Sequence, residues 1–442
     1  MKTSFKKIIA YILRTEARLV LSKYKPKIVA ITGSVGKTST KDAVYAILSK
    51  VTYVRKSEKS FNSEIGLPLT ILGCPNGWNN PLTWLLNIWK GLWLLIWPHK
   101  YPTWLVLEVG ISKPGDMARV TTWLKTDVVI ITAIGETPAH IEFFSSRKHL
   151  IEEKSQLIKT LKLDGLLVLN VDDESVLEMK EKTKNRIVTY GFNEGADILG
   201  SGDSISYGAS GEPEGIIFRV DENGTSFPVV IEGVFSRNHV YASLAALALS
   251  SGLNFNMLDV ANALKNYDVP PGRMRLLKGI NETLIIDDTY NSSPFACESA
   301  LRTLGEVRAS GRKIAILGDM LELGRHTLSA HKNIGMLAKH VLTGVNDKLI
   351  VVGQRAKGIK EGAMEDHPAV ADLGMKEENI LEFLDSIEAA NFIKTFTEKG
   401  DVILVKGSQG MRMERIVAAL LLDQKNKNKL IVRQDAEWLK KK

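Results

Sequence analysis

Cysteine is scarce: two in 442 residues, Cys74 and Cys297. They lie far apart and neither has a CxxC partner, which excludes a disulfide framework and the common zinc sites and fits a reducing compartment. No apolar run reaches the roughly 20 residues that a membrane-spanning helix needs. Residues 82–97 come nearest, with Asn87 and Lys90 inside them. A secretory signal is excluded too, because Arg14, Glu16 and Arg18 interrupt the apolar stretch of residues 4–22 and no small-residue cleavage site follows. No internal repeat is present. What remains is an ordinary globular balance, 44% hydrophobic and 24% charged, at a length that suits two or three domains.

Charge is unevenly placed. The net charge is +8, yet residues 1–27 hold eight Lys/Arg against Glu16 alone, and residues 425–442 are again rich in Lys and Arg. The body between them is slightly acidic. A nucleic-acid binder carries its basic stripe on the folded domain, so no nucleic-acid partner is expected. Basic ends suit an anionic membrane surface. Residues 4–22 have helical amphipathic spacing, with Phe5, Ile8, Ile9, Ile12, Leu13, Leu19 and Val20 on a broad apolar side. Such a helix either packs on the next domain or lies on a membrane. Residues 75–104 hold six of the eight tryptophans, between Pro81 and Pro98 for the most part. That composition suits the bilayer interface, or a buried core or dimer helix.

The chain is organised around Thr32-Gly33-Ser34-Val35-Gly36-Lys37-Thr38-Ser39. The apolar Ile28-Val29 before it reads as a buried strand, and residues 41–50 after it have helical spacing. Strand, glycine loop and helix together make a phosphate-binding loop. Gly33 and Gly36 let the backbone approach an anion, Lys37 supplies a cation for the β and γ oxygens, and the Thr38 hydroxyl can ligate Mg²⁺. The spacing is two residues shorter than the general nucleotide loop, which would need its first glycine at Ile31.

Beyond the loop, strands and helices alternate, which predicts a mostly parallel sheet covered on both faces. Strands are expected at 104–110, 127–134, 166–170 and 187–190, with a charged helix over 147–162. A hairpin turns at Asn223-Gly224. Pro270-Pro271-Gly272 marks a boundary, followed by strands at 283–287, 313–317, 348–352 and 401–405. The predicted class is α/β: a basic helix (1–26), a phosphate-loop domain (27–270) carrying the insert 75–104, and a Rossmann-like α/β domain (271–442). The basic tail reads as a frayed or surface helix. Ligands of such sheets bind beyond the carboxyl ends of the strands, where Glu108 and His140 fall with the loop.

The short loop resembles that of the Mur ligases and their folylpolyglutamate synthetase relatives. Further motifs carry the resemblance: residues 62–72 (Asn-Ser-Glu-Ile-Gly-Leu-Pro-Leu-Thr-Ile-Leu), Leu107-Glu108-Val109-Gly110, Ala139-His140-Ile141-Glu142, Pro271-Gly272-Arg273-Met274-Arg275, residues 286–291, 317–324 and 405–414. The resemblance implies an ATP- and Mg²⁺-dependent amide ligase of peptidoglycan precursor synthesis, working through an acyl phosphate. It would join D-alanyl-D-alanine to a UDP-N-acetylmuramoyl-tripeptide-like acceptor, as a cytoplasmic monomer with the inner membrane face as a further contact. It also implies roles by position. Gly33, Ser34, Val35, Gly36, Lys37, Thr38, Ser39, Asn62, His239, Arg273, Asp288, Tyr290 and Asn291 would bind ATP. Thr38, Glu108, His140 and a carbamylated Lys154 would serve the metal. Lys37, Lys154, His140 and Arg273 would act in catalysis, and Lys406 and Ser408 would meet the acceptor or dipeptide.

Two departures stand out. The family's N-terminal sugar-nucleotide domain has no counterpart, and the basic helix stands in its place. The family's adenine-contacting Gly-Arg-His-Asn-x-x-Asn reads Ser236-Arg237-Asn238-His239-Val240-Tyr241-Ala242, with the His–Asn order reversed. A ligase for another acceptor, lipid-linked or polyglutamate, is the second reading. A non-catalytic membrane scaffold derived from a ligase is the third.

Overall fold

The computed structural model describes residues 3–440 apart from 59–60, 79, 136–140, 210, 266 and 367–373. Among the described residues the strands form two sheets, one of nine strands and one of six.

The first sheet comprises β1 (Lys27–Thr32), β2 (Val54–Lys56), β3 (Trp104–Glu108), β4 (Thr126–Ile131), β5 (Leu161–Asn170), β6 (Arg186–Gly191), β7 (Ile198–Tyr207), β8 (Pro213–Glu222) and β9 (Thr225–Glu232), in the order β2-β3-β1-β4-β5-β6-β7-β8-β9. Strands β2 to β7 pair in parallel, and β7, β8 and β9 form an antiparallel meander. Strand β1 is apolar because both faces are covered; Ile28 to Ile31 are all buried. It lies between β3 and β4, so the chain's direction across the sheet reverses there. This is the crevice where open α/β sheets bind ligands.

Helix α1 (Thr3–Tyr24) buries Ile9, Leu13, Ala17 and Val20, spaced four, four and three apart as one helical stripe requires. It packs with α3 (Gly66–Leu72) and α4 (Pro81–Ile96) on one side of the sheet, whereas α2 (Lys37–Val51) covers the other. Helix α4 starts under an Asn80 cap, whose side chain accepts from the amide of Leu82 at 2.9 Å. Its end is held by α1: Nζ of Lys23 donates to the carbonyls of Leu94 and Leu95, both at 2.9 Å, and of Trp97 at 3.0 Å. The insert is thus a folded part of the domain.

The second sheet comprises β10 (Arg275–Lys278), β11 (Leu284–Asp288), β12 (Lys313–Gly318), β13 (Lys348–Val352), β14 (Ile380–Phe383) and β15 (Val402–Lys406), in the order β10-β11-β15-β12-β13-β14. Only β10 runs antiparallel. Each sheet has its own cores, one on either face.

Three details differ from the sequence reading. The helix expected over 147–162 is α5's neighbour α6 (Arg147–Ser155), where α5 is Asp116–Thr121, followed by a 3₁₀ turn (Gln156–Thr160) that feeds β5 five residues early. Strand β7 was hidden by its glycines and serines. The C-terminal tail is pinned instead of frayed. Arg433 is buried, donating to Glu414 at 2.9 Å and to the carbonyl of Thr289 at 3.0 Å, with Ile431 and Val432 buried beside it.

Candidate active site

The phosphate loop follows β1 at the sheet's reversal point. Gly33 and Gly36 both have positive φ, 146° and 83°. At Gly33 the reason is space as well as angle, since a Cβ would lie 2.0 Å from Oγ1 of Thr132. The loop is fastened to the end of β4: the amides of Ser34 and Val35 donate to the Ala133 carbonyl at 2.7 and 3.1 Å. Helix α2 begins at Lys37 with no side-chain cap. Its first-turn amides therefore remain available to an anion.

Around the loop, charged groups are withdrawn from water. Lys37 folds back, its Nζ donating to the carbonyls of Gly33 at 2.9 Å and Ser34 at 3.3 Å. Burial lowers its pKa, with Arg273 adding to this and Glu108 opposing it. Glu108 ends β3 and is itself buried; it accepts from Oγ1 of Thr38 at 3.0 Å and from Nδ2 of Asn62 at 3.4 Å. Burial alone would push its carboxyl up, yet Lys41, Lys37, Arg273 and the Thr38 hydroxyl together hold it below the ordinary range. Lys154, on α6, also reaches the loop, donating to the Gly33 carbonyl at 2.9 Å. Burial, then the charge of Lys37, drives its pKa well down, favouring the neutral amine.

The second sheet contributes across the boundary. Asp287 accepts from the amide of Gly272 at 3.1 Å, and Asp288 from that of Met274 at 3.2 Å, so β11 grips the linker around Arg273. Arg273 then lies with its guanidinium 3.9 Å from the Tyr290 ring centroid and donates to Oγ1 of Thr38 at 3.3 Å. Its Nε, and the Ser34 hydroxyl, are buried without a hydrogen-bond partner. Such orphaned donors suit an anion held between them.

These groups open on a cleft of about 1200 Å³. Gly33, Ser34, Gly36, Lys37, Thr38, Asn62, Glu108 and Lys154 line it, facing Arg273, Tyr290, Asn291 and Ser408. Other predicted positions lie elsewhere. Lys406 is buried and paired with Asp288 at 2.5 Å, which fixes β15 to β11 instead of facing the cleft. His239 is buried beside the linker: its Nε2 donates to the Arg273 carbonyl at 2.6 Å, and its Nδ1 meets the Tyr267 hydroxyl. Burial pushes its pKa down to about 4. Both ring nitrogens are engaged within the protein, so it orients Arg273 in place of meeting a base. His140 lies outside the described residues.

The sequence reading missed part of the lining. Lys7, Tyr11 and Arg14 of α1 form a wall of the cleft, with Arg119 and Trp123 near α5. Asp116 of the Lys113-Pro114-Gly115-Asp116 turn after β3 was the available signal. Lys41, one turn into α2, also went unnoticed. Among the described residues no group of three or more His, Cys, Asp or Glu could hold a metal unaided. Thr38 and Glu108 offer two hard oxygens side by side, which fit part of the donor set a Mg²⁺ ion would need.

Known proteins agree with this geometry. Residues 31–250 match the Mur ligase middle domain, and residues 272–409 match the Mur ligase, glutamate ligase domain. The chain is 29% identical over 409 residues to the UDP-N-acetylmuramoyl-tripeptide–D-alanyl-D-alanine ligase of Bacillus subtilis, covering 92% of this chain and 79% of that one. It is 27% identical over 410 residues to the enzyme of the same name from Mycobacterium tuberculosis H37Rv, covering 90% and 73%. The crystal structure of the MurF ligase from Thermotoga maritima in complex with ADP superposes with a TM-score of 0.73 at 26% identity, covering 93% of this chain and 83% of that one. With two family domains matched in colinear order and the phosphate site built between them, the chain belongs to the Mur ligase family.

Proposed function

We propose that this protein is an ATP-dependent amide ligase that joins D-alanyl-D-alanine to a UDP-N-acetylmuramoyl-tripeptide acceptor, the reaction in the names of its relatives. One observation carries the reading: Arg273, on the linker gripped by β11 of the second sheet, donates to Thr38 of the phosphate loop, so both halves of the chain address one anion site.

The chemistry follows from the charges. The acceptor's terminal carboxylate attacks the γ-phosphorus of ATP; the bond to the β–γ bridging oxygen breaks and ADP leaves. The dipeptide amine then attacks the acyl carbon, loses a proton, and phosphate departs. Lys37, Arg273 and the first-turn amides of α2 stabilise charge on the transferred group. Thr38 and Glu108 would hold Mg²⁺, which supplies neutralisation of the triphosphate. His140 would join them, by the family resemblance. Tyr290 and Asn291 would face the nucleotide, and Ser408 the incoming dipeptide. The neutral amine of Lys154 can take up CO₂, forming an N–C bond and releasing a proton, to give a carbamate beside the loop.

The working unit proposed is the monomer. No helix among the described residues is long and apolar enough to cross a membrane, and the proposed station is the cytoplasm, peripheral at the inner membrane face. A ligase for a different acceptor is favoured by one feature: α1 supplies a cleft wall, so part of the acceptor meets Lys7, Tyr11 and Arg14. Phosphate release from ATP with D-alanyl-D-alanine and a panel of acceptors separates the readings. Release that depends on the UDP-linked tripeptide is expected; release only with another acceptor would move the assignment to the second reading.

A further inference from the structure

Helix α4 is turned inside out. Its buried positions are Trp84, Asn87 and Gly91, one narrow stripe at helical spacing. The opposite side carries Leu82, Leu85, Leu86, Trp89, Trp93 and Ile96, each between 39% and 70% exposed. Packing demands the glycine: a Cβ at Gly91 would lie 2.2 Å from Oε2 of Glu16 on α1. The helix therefore buries one tryptophan, Trp84, with a polar and a small residue, and leaves most of its apolar bulk outside, the reverse of a core helix. A contiguous apolar patch of this kind marks an interaction surface.

We propose that this face docks on an anionic lipid bilayer, with α4 lying in the interfacial plane. Sixteen residues extend about 24 Å, short of the roughly 30 Å of a hydrocarbon core. Trp89 and Trp93 stack at 5.1 Å, and Trp97 follows at 5.7 Å, forming a row of the side chain most at home among headgroups. Charge complementarity selects the partner. Residues 75–104 contain Lys90 and Lys100 and neither Asp nor Glu. Beside α4, the exposed side of α1 shows Ile8, Tyr11 and Leu19 among Lys7 and Arg18. A second copy would present the same cations and be repelled, whereas anionic lipid attracts them. Tyr11 and Trp84 also line the catalytic cleft, so docking sets its α1 wall near the headgroups. The inner-face location rests on the ligase reading; the lipid contact itself does not.

The test uses the full chain without substrates. It should sediment with phosphatidylcholine–phosphatidylglycerol vesicles at low salt, less so at high salt, and poorly with phosphatidylcholine alone. Brominated acyl chains should quench its tryptophan fluorescence. Replacing Leu85, Trp89 and Trp93 together by Ser should weaken vesicle binding about tenfold or more, while circular dichroism and ATP turnover in solution hold. Three results would overturn the proposal: no binding of the wild type to anionic vesicles at low salt, unchanged binding by the triple variant, or a wild-type dimer that this variant dissolves. Because lipid binding is read without catalysis, its failure would leave the ligase assignment standing, and the reverse.

Discussion

At the phosphate loop Glu108 and Lys154 are withdrawn from water and Lys37 partly so, whereas on α4 Leu85, Trp89 and Ile96 are left in it. Each region departs from ordinary burial, and in opposite directions. The first departure is compensated inside the protein: each of these groups has a carbonyl or a hydroxyl within hydrogen-bond reach. The second has no compensation among the described residues, because none of them covers the outer side of α4. A buried charge that is paired needs no partner to be stable, and its function lies in what it does to a ligand. An exposed apolar face points outward, to whatever will cover it. Removing the charges should therefore abolish chemistry and spare the fold, whereas changes on α4 should depend on which side of the helix they strike.

The largest expected effect is at Lys37. Lys37→Ala should lower ATP turnover by about a thousandfold or more, since the variant loses the cation beside the transferred phosphoryl group. Its melting temperature should stay near wild type, because Nζ contacts only two loop carbonyls. Turnover within a few-fold of wild type would remove the nucleotide assignment. Next is Lys154→Ala, expected to be nearly inactive and partly restored by short carboxylates that take the place of the carbamate. Steady-state phosphate release with and without acetate checks this; full activity without an additive would end the carbamate idea.

How much of this was legible follows from how far apart the causes lie in sequence. The loop, Glu108 and the parallel order of the first strands could be read because each is a local pattern: strand, glycine turn, helix. Arg273 was named by resemblance, and the clamp that holds it was not anticipated. It depends on Asp287, Asp288 and His239, which meet the linker through folding. Which side α4 buries was undecidable, since an apolar helix without periodicity has no inward face until a partner supplies one. Glu16, opposite Gly91, is that partner. Arg433 shows the same limit: its partner Thr289 lies 144 residues away, and a Lys-rich tail carries no sign of burial.

A pair of changes tests the two sides of α4 directly. Trp84 is 3% exposed, and its indole donates to the Trp78 carbonyl at 3.0 Å; Trp89 is 58% exposed. Trp84→Ala should cost about 3 kcal/mol of stability or more, through the cavity it leaves. Trp89→Ala should cost less than about 1 kcal/mol. Urea unfolding of both variants measures the difference. Equal losses would mean that the outer face is covered within the protein after all, and the contrast with the cleft would collapse.

The smallest effect expected lies between the two regions, at Glu16. This carboxyl is buried where α1 meets α4, its Oε2 lacks a hydrogen-bond partner, and burial raises its pKa to about 7. An unfolded Glu titrates near 4.3. Between those values the native state holds a proton that the unfolded state has released, so stability falls as pH rises through this window and is flat above it. The shift corresponds to a loss of about 4 kcal/mol at most. Unlike Glu108, which has Lys41, Lys37 and Arg273 to hold it ionised, Glu16 gains no such help. Glu16→Gln keeps the shape and removes the ionisation. At pH 8 it should be more stable than wild type by about 1 to 2 kcal/mol, allowing for an imperfectly placed amide, with the advantage shrinking toward pH 5. Denaturant midpoints for both proteins across that range are the measurement. A wild-type protein whose stability does not fall between pH 5 and 7 relative to Glu16→Gln would show that Glu16 is ionised and satisfied, and that the packing of α1 on α4 is insensitive to charge.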